Sequence, residues 1–451
     1  MMVYNNYVST PEAVWFSTLP YTWRATKMRE LFSERNTKVS DKEYPALSVG
    51  KMGVVPQLET AVKTDNGDNR KLICKGDFAI NSRSDRKGSS GISEYDGSSS
   101  LIITVLKPHN ELNGRFYHYL LRSHYFVEEF YRNGHGLVSD LWTTKWDEMR
   151  NIYIPVPPRE EQDQIVRYLD WQTSKINKLI RGYQRQIKLL EERRKTLIDK
   201  AVTKGVRANR SMQSIPANWM GDIPADWKMI PAKRLFIESK ERKRAEDKPA
   251  TASQKYGIIA QEDYMRIEGK RIVIATQGLD DWKHVEPNDF VISLRSFQGG
   301  IERSDISGCV TWHYIVLKPQ KGVVPQYFRW LLKSMSYIKA LQGTSEFIRD
   351  GQDLRYSNFV KVDLPLIPVS EQEEIAEYIE VETKKIDGAI PSIQKEINLL
   401  REYRTRLISD VVTGQMDVRE IEIPDYTPED DIEDSEAENE TVDEEVDADA
   451  E

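Results

Sequence analysis

The sequence predicts an α+β protein made by tandem duplication, in which a compact α/β globule followed by a long helix is present twice. Three observations lead to this fold class. Short phrases recur in the same order about 210 positions apart, each copy ends in a helical pattern of about 45 residues, and a proline-to-acid junction precedes both helical patterns. Because exposed two-faced helices of this length need a partner, we expect them to pair as an antiparallel coiled coil with pseudo-twofold symmetry.

The duplication rests on five pairs of similar phrases. "LPYTWRATKMRELF" at Leu19 and "IPADWKMIPAKRLF" at Ile223 lie 204 positions apart. Further along, "KGDFAINSRS" and "PNDFVISLRS" are separated by 212 positions, while "IITVLKP" with "YIVLKP" and "FYHYLLRS" with "YFRWLLKS" are separated by 211. The junctions "IPVPPREEQ" and "LPLIPVSEQ" are separated by 210. Five similarities in one order, at a nearly constant separation, indicate an internal repeat.

Each copy begins with a globule, at about Leu19–Pro155 in the first and Ile223–Pro365 in the second. Short β-rich runs such as "LIITVLK" and "FVISLRS" alternate with Gly- and Ser-rich loops, which is typical of a mixed α/β domain. The predicted division is a first globule at 1–155, a first spacer helix at 156–205, a second globule at 206–365, a second spacer helix at 366–415 and an acidic tail at 416–451.

The helical patterns carry apolar residues at spacings of three and four with one additional four-residue step, which predicts a coiled-coil seam with a stutter. The predicted seam of the first helix is Ile165, Leu169, Ile176, Leu179, Tyr183, Ile187, Leu190, Leu197 and Ala201. Its counterpart in the second helix is Ile375, Ile379, Ile386, Ala389, Ile393, Ile397, Leu400, Leu407 and Val411.

Polar residues also fall on the predicted seam at equivalent places, namely Gln172 with Glu382 and Arg194 with Arg404. Polar seam positions often fix the register of a coiled coil. In the second helix, the segment from Gly388 to Pro391 is expected to interrupt the helix with a kink, because an interior proline removes a hydrogen bond and clashes with the preceding turn.

The two junctions are expected to start the long helices and to have no catalytic role. Pro157 and Pro158 exclude helix before the start of the first helix. Ser370 with Glu373 forms a capping-box pattern, and the neighbouring acidic residues favour a helix N-terminus.

The charge distribution separates a basic body from an acidic tail. The chain has 64 basic and 72 acidic residues, and 17 of the acidic ones lie in 420–451, which has no Lys or Arg. Residues 1–419 therefore carry 64 basic against 55 acidic side chains, a balance of +9. The tail is expected to be disordered, and the mild basic bias of the body does not by itself identify a nucleic-acid binder.

The sequence predicts a cytoplasmic protein without a membrane segment. No apolar run approaches the roughly 20 residues that a membrane-spanning helix needs, and the N-terminus does not have the layout of a signal peptide. Cys74 and Cys309 lie far apart without a zinc-ligand pattern, which fits a reducing compartment.

Motifs for catalysis are absent from the sequence. There is no Gly-x4-Gly-Lys-Ser/Thr phosphate loop and no Asn/Asp-Pro-Pro-Tyr/Phe motif of an amino-methyltransferase. The six histidines show no metal spacing. A nuclease-like set built from Asp226 and the triplet at 238–240 is weak, because such triplets are common in charged segments. We therefore expect no active site and no bound metal.

The phrases "WMGDIPADWK", "IPVPPREEQDQI" and "LPLIPVSEQEEI", together with the helix endings "LIDKAVTKG" and "LISDVVTGQMDVR", resemble the DNA-specificity subunit of Type I restriction–modification systems. The resemblance covers about residues 15–419. It implies that each globule is a target recognition domain reading one half of a split, asymmetric double-stranded DNA target. The paired helices would be the conserved spacer.

The resemblance also implies the partners of this chain. Two methyltransferase subunits would carry S-adenosylmethionine, and restriction–translocase subunits would use ATP and Mg²⁺. The chain itself would bind no cofactor and would be non-catalytic.

Two stretches in each globule are candidates for DNA contact, because base edges are read by Arg, Asn, Gln and hydroxyl side chains while Lys and Arg also contact phosphates. One stretch follows the "DFAINSRS"/"DFVISLRS" strand and the other precedes the proline junction. The candidates of the first globule are Arg83, Ser84, Arg86, Lys87, Ser89, His135, Ser139, Thr143, Thr144 and Lys145. Those of the second globule are Arg295, Ser296, Gln298, Thr344, Ser345, Arg349, Gln352 and Arg355.

Two other functions stay open at this point. One is a self-contained nuclease or methyltransferase, which the missing motifs argue against. The other is a protein-interaction scaffold built on the long helices, without sequence-specific DNA binding.

Deleting residues 420–451 is expected to leave the choice of DNA site unchanged, because the candidate reading residues lie in the globules. Methylome sequencing of a host carrying the shortened chain measures the site directly. An altered half-site would contradict the modular interpretation.

Overall fold

The computed structural model describes residues 3–57, 67–83, 87–109, 112–136, 142–215, 219–269, 279–293, 296–344 and 354–428. The chain divides into two compact units. The first combines Met1–Gln184 with Gln394–Ala437, and the second contains Arg185–Ile393. Each unit therefore holds one globule and a part of both long helices. The five-segment division made from the sequence stays a prediction.

The first globule contains short strands and short helices. They are β1 (Tyr7–Ser9), β2 (Thr18–Pro20), β3 (Arg24–Lys27), α1 (Met28–Leu31), β4 (Phe32–Glu34), β5 (Lys38–Val39), β6 (Leu47–Gly50), β7 (Gly53–Pro56), β8 (Arg70–Ile73), β9 (Phe78–Asn81), β10 (Ser90–Ile92), β11 (Gly97–Ser99), β12 (Ile103–Pro108), α2 (Gly114–Leu120), α3 (His124–Arg132), α4 (Trp146–Met149) and β13 (Tyr153–Val156). The long helix α5 (Arg159–Lys204) follows.

The second globule has a similar order of elements. They are β14 (Met212–Gln213), β15 (Ile223–Pro224), β16 (Lys228–Ile230), β17 (Phe236–Ser239), β18 (Ala250–Ser253), β19 (Gly257–Ala260), α6 (Gln261–Glu268), β20 (Lys283–Val285), β21 (Phe290–Ile292), α7 (Ser296–Gly299), β22 (Glu302–Arg303), β23 (Gly308–Val310), β24 (Ile315–Pro319), α8 (Pro325–Leu331), α9 (Met335–Gln342), α10 (Tyr356–Phe359) and β25 (Leu364–Leu366). The second long helix is α11 (Val369–Val412).

The same four-stranded antiparallel sheet is the centre of both globules. Its strand order is β10-β9-β12-β4 in the first globule and β22-β21-β24-β17 in the second. The register also repeats, since Phe78 pairs with Leu106 in one sheet and Phe290 with Leu317 in the other. The tandem duplication predicted from the sequence is therefore confirmed at the level of strand pairing.

The repeated phrase "LLRS"/"LLKS" ends in a helix cap. The hydroxyl of Ser123 accepts a hydrogen bond from the backbone N–H of Phe126 at the start of α3. Ser334 accepts the equivalent bond from Tyr337 at the start of α9. A serine at this position satisfies an N–H group that has no partner within the helix.

The long helices α5 and α11 pair in antiparallel orientation within each unit. In the first unit Arg404 Nη1 donates a hydrogen bond to Asn177 Oδ1 at 2.8 Å. In the second unit Arg194 Nε donates to Asp387 Oδ1 at 2.8 Å. In an antiparallel helix pair, the numbers of two facing residues have a constant sum. This sum is 581 for both hydrogen bonds, so the same register is found in each unit. Arg194 and Arg404, which the sequence placed on the seam, both contact the opposite helix.

The predicted seam is correct except around its stutter. Leu179 is 50% exposed, whereas Ile180 is fully buried and takes its place. The four-residue step comes between Ile176 and Ile180, earlier than expected. Similarly, Thr173 and Thr383 are buried and bond to the carbonyl groups four residues earlier, whereas Gln172 and Glu382 are only half-buried.

Helix α11 continues through the segment from Gly388 to Pro391 without a break. The predicted interruption is therefore wrong, while a bend at this position stays a prediction. The helix also begins at Val369, so Ser370 lies inside the first turn and not at the capping position that the sequence pattern indicated.

The glutamine of each junction ties the long helix to its globule. Gln372 Nε2 donates to the carbonyl oxygen of Ile367 at 2.8 Å, and its Oε1 accepts from the backbone N–H of Val324 at 2.8 Å. In the first copy, Gln162 donates to Pro157 O at 2.9 Å and accepts from the N–H of Asn113 at 3.4 Å. Both junction glutamines are buried, so their hydrogen bonds fix the start of each long helix to its globule.

The glutamate beside each glutamine is buried as well, and its charge has a partner. Glu371 forms an ion pair with Arg210 and accepts a hydrogen bond from Trp227 Nε1 at 3.2 Å. In the first copy, Glu161 accepts a hydrogen bond from the hydroxyl of Tyr4. A buried carboxylate requires such partners because the loss of hydration is costly. The sequence pattern indicated a helix start here but not these contacts.

The described part of the predicted acidic tail belongs to the first unit and packs against α5. Val418 is buried, and Gln164 Nε2 donates to the carbonyl oxygens of Val418 and Ile421 at 3.0 and 2.9 Å. Ser174 Oγ donates to Thr427 O at 3.4 Å. The expectation of disorder from residue 416 is therefore wrong for 416–428, because apolar anchors occur before the continuous acidic run. Residues 429–451 lie outside the described residues.

Replacing Arg404 with Ala is expected to lower the free energy of unfolding by about 1–3 kcal/mol, since this residue is 8% exposed and its guanidinium donates to the buried Asn177. Replacing the equivalent Arg194 with Ala is the matched control. Its side chain is 32% exposed, so a loss of about 0–1 kcal/mol is expected. Urea unfolding of the full chain, followed by circular dichroism, measures both; equal losses would contradict the assignment of a buried polar contact to the first unit.

Candidate nucleic-acid interface

Two distant stretches of the first globule meet at a short backbone pairing. Arg83 and Thr143 form an antiparallel bridge, and Thr143 also pairs with His135. The backbone N–H of each member of the His135–Thr143 pair donates to the other's carbonyl oxygen at 2.9 Å. The N–H of Thr144 donates to Ser82 O at 3.0 Å. The two stretches predicted separately from the sequence therefore form one surface, here called the first loop surface and defined by Arg83, Lys87, His135, Thr143 and Lys145.

The side chains of the first loop surface are accessible. Arg83, Lys87, His135 and Lys145 are exposed and Thr143 is half-buried. Lys87 forms an ion pair with Glu128 and lies 4.8 Å from the ring centroid of Tyr131. His135 Nδ1 lies 3.4 Å from Glu148 Oε1. The surface thus combines cations with donors and acceptors, as the reading of nucleic acid requires.

Three predicted residues are buried. They are Ser89, Thr144 and Ser296. The hydroxyl of Thr144 donates to Phe130 O at 2.9 Å, and Ser296 Oγ accepts from the backbone N–H of Ser293 at 2.9 Å. The hydroxyl groups of Thr144 and Ser296 therefore stabilise the backbone of the loops and are not available for contact with a ligand.

The two predicted stretches of the second globule also come together. Gln342 Nε2, at the end of α9, donates to Phe297 O in α7 at 2.7 Å. Asn358 Nδ2 donates to Thr344 O at 3.2 Å, and its Oδ1 accepts from the N–H of Arg355 at 3.2 Å. Gln298, Thr344 and Arg355 define the second loop surface. Gln298 and Arg355 are exposed.

Sequence reasoning missed Gln342 and Asn358, which connect these stretches. Asn358 could have been noticed as the third residue of a short helix that follows Arg355, where an amide often caps the chain. No sequence pattern indicated Gln342. The predicted residues Ser84, Arg86, Ser139, Arg295, Ser345, Arg349 and Gln352 lie outside the described residues.

The weak nuclease-like pattern has a structural explanation. Asp226 forms an ion pair with Arg210 at 2.5 Å, and Arg210 also pairs with the buried Glu371.

Cys309 is buried, and burial raises the pKa of its thiol to about 11, so the reactive thiolate is disfavoured.

Within the described ranges, no group of three or more His, Cys, Asp or Glu side chains could hold a metal ion. In the same part of the chain, every helix is too short or too polar to cross a membrane.

Comparison with known proteins gives consistent matches. Residues 20–189 match the family model described as the Type I restriction modification DNA specificity domain. The chain is 22% identical over 398 residues to a putative type I restriction enzyme MjaX specificity subunit from Methanocaldococcus jannaschii, covering 85% of this chain and 87% of that protein. It is 23% identical over 299 residues to the type I restriction enzyme MjaVIII specificity subunit of the same organism, covering 60% and 64%.

A solved structure supports the fold. A chain from a study of complex assembly and conformational transition of the type I R-M system superimposes with a TM-score of 0.64 at 15% identity. The match covers 88% of this chain and 99% of that chain.

The repeated globules, the buried junctions and the paired long helices form a fold that this chain shares with that solved structure. Residues 20–189 thus match a type I DNA specificity domain, and the chain is similar over most of its length to a type I specificity subunit.

Replacing Gly134 with Ala is expected to open the first loop surface. An added Cβ would lie 2.6 Å from Thr144 Oγ1 and 2.9 Å from Thr143 O, so the His135–Thr143 pairing must shift. Amide hydrogen exchange at His135 and Thr143 should become about tenfold faster or more.

Gly182 is the matched control for that change. An added Cβ there has no neighbour within 4 Å, and alanine favours a helix over glycine by about 1 kcal/mol. Exchange at His135 and Thr143 should stay unchanged in Gly182→Ala. Unchanged exchange in Gly134→Ala would contradict the close packing at this turn.

Proposed function

We propose that this chain reads a bipartite, asymmetric DNA target, with one half-site per globule, and holds the catalytic subunits of the complex. The observation that carries the proposal is the convergence of two divergent stretches in each globule. Arg83, His135 and Thr143 meet in the first, whereas in the second Gln342, just before Thr344, donates to the carbonyl oxygen of Phe297, just before Gln298.

Different side chains on equivalent loops favour different half-sites. Arg pairs best with guanine, and an amide such as that of Gln298 pairs best with adenine. Lys87 and Lys145 are assigned to phosphates, which position a domain without reading sequence. Ser84, Arg86, Ser139, Arg295, Ser345, Arg349 and Gln352 remain candidates for the same role.

The long helices are proposed to set the length of the unread gap between the half-sites. Helix α5 has 46 residues, which corresponds to a length of about 69 Å at 1.5 Å per residue. The register described by the Arg404–Asn177 and Arg194–Asp387 contacts supports this role, because a fixed register gives a fixed length.

The expected partners are two methyltransferase subunits with S-adenosylmethionine and restriction–translocase subunits with ATP and Mg²⁺. This chain is expected to bind none of these cofactors itself and to act in the cytoplasm.

A second candidate function is a protein-interaction scaffold without sequence-specific DNA binding. Exposed apolar side chains on the long helices favour the docking of partner proteins, and they include Leu179, Leu189, Leu399 and Tyr403. Exposed apolar patches often mark protein interfaces. Partner docking is compatible with both functions, so DNA protection decides between them.

Footprinting of the chain with its methyltransferase partner should give two sequence-specific protected halves separated by an unread gap. Exchanging residues 223–365 for the globule of another family member should change one half only. The parent chain with the same partner is the control. A single continuous footprint, or a change in both halves after the exchange, would refute the proposal; no sequence-specific footprint at all would favour the scaffold.

A further inference from the structure

Residues 416–428 lie beside the first part of α5. Gln164 Nε2 donates to the carbonyl oxygen of Ile421, and ten positions later on the helix Ser174 Oγ donates to Thr427 O. Ten helical residues span about 15 Å, and six positions of extended chain span at most about 20 Å. The chain beyond α11 therefore runs along α5 in the direction of the helix.

The part of α5 that lies ahead of this segment is basic. Positions 164, 168, 171, 175 and 178 are spaced by four and three residues, so they share one side of the helix. Lys175 and Lys178 are exposed on that side, and Lys175 Nζ lies 5.3 Å from the ring centroid of Trp171. Among the described residues, neither lysine pairs with Asp or Glu. These two lysines define what is here called the basic face of α5.

The sequence around the basic face supplies no counter-charge. From 171 to 190, α5 contains five basic residues and no Asp or Glu. Negative charge for this face must therefore come from another segment of the chain or from a bound partner.

An acidic segment begins where the described contacts end. Residues 429–434 have the sequence "EDDIED", with five carboxylates and no basic residue. They lie outside the described residues, so the match to the basic face is one of charge and length. Glu429 is two positions beyond Thr427, or about 7 Å in an extended chain. Lys178 lies about 6 Å beyond Ser174 along the helix, so Glu429 can reach it without a change in the direction of the chain.

The second copy contains a similar contact with the charges reversed. Residues 371–382 at the start of α11 contain six acidic and no basic residues. In the segment that follows α5, Arg207 Nη2 lies 2.7 Å from Glu374 Oε2, and Arg210 pairs with the buried Glu371. In this copy, the segment beyond one long helix is thus held to the other helix by opposite charge.

We propose that the acidic segment 429–434 binds to the basic face of α5 and competes there with other polyanions. The contacts of 416–428 tether the segment next to the face, which raises the effective concentration of its carboxylates. Single ion pairs between exposed side chains are weak, but several carboxylates on a tethered segment act together. The proposal does not depend on the reading of half-sites by the globules.

The reactivity of the lysine amines towards an acetylating reagent, measured by mass spectrometry, tests this contact. In the full chain at low salt, Lys175 and Lys178 should react about threefold more slowly than in a chain that ends at Pro428. Lys195 and Lys200, exposed on α5 in the second unit, are the internal controls and should react equally in both chains. At about 1 M salt, where charges are screened beyond roughly 3 Å, the difference should disappear.

Two variants of the full chain separate charge pairing from the mere presence of the segment. The proximal variant neutralises 429–434 and the distal variant neutralises 443–449, so each loses five carboxylates. The proximal changes are Glu429→Gln, Asp430→Asn, Asp431→Asn, Glu433→Gln and Asp434→Asn, and the distal changes are Asp443→Asn, Glu444→Gln, Glu445→Gln, Asp447→Asn and Asp449→Asn.

The proximal variant should lose the protection of Lys175 and Lys178, whereas the distal variant should keep it. The proximal variant should also bind a random-sequence DNA duplex more tightly than the distal variant, because the basic face is then open to phosphates. Equal duplex affinity of the two variants would overturn the competition.

Equal reactivity of the two lysines in the full and shortened chains would overturn the contact itself, as would protection that persists in the proximal variant. Protection that appears only after the duplex is added would assign the face to nucleic acid, which also contradicts the proposal. All variants retain every described residue, and circular dichroism verifies their fold. Lysine reactivity needs no target sequence, so its outcome is independent of the footprinting experiment.

Discussion

The antiparallel pairing of α5 with α11 is the constraint on which the rest of the structure depends. Each compact unit contains a globule, the end of one long helix and the beginning of the other. In the second unit, Val202 near the end of α5 and Ile375 near the start of α11 lie in one apolar core with Trp227 and Phe236. Tyr327 of the globule donates its hydroxyl hydrogen bond to Val202 O at 2.9 Å. This core therefore contains residues of the globule and of both helices.

The residues of the two junctions fix the long helices to their globules. A buried glutamine bonds the first turn of each helix to the globule, and a buried glutamate beside it requires a partner that comes from elsewhere in the chain. In the second copy the partner is Arg210, which follows the end of α5. In the first copy it is Tyr4, over whose ring the guanidinium of Arg419 lies at 4.7 Å. A cation beyond α5 therefore pairs directly with the buried carboxylate of the second copy, whereas in the first copy the cation beyond α11 contacts the tyrosine that bonds to the carboxylate.

Differences between the copies are as informative as their similarity. The sheets, the capping serines and the seam threonines repeat, because each of them satisfies backbone groups or buries apolar surface in the same way. The copies diverge in the loop surfaces, where no such demand applies. The two copies therefore share their framework and differ in their exposed loops.

The sequence by itself determined the duplication, the two long helices, their apolar seam and the absence of recognisable catalytic motifs, because periodicity and repeated phrases are local properties of a chain. It also located the stretches that form the loop surfaces. Only the tertiary structure decided that Ile180 and not Leu179 is buried, that α11 continues through Pro391, and that residues 416–428 pack against α5. Tertiary contacts also decided which hydroxyls, including Thr144 and Ser296, are buried. These outcomes depend on contacts between residues more than a hundred positions apart, or on which face of an element packs against the core. Neither can be predicted from the local sequence.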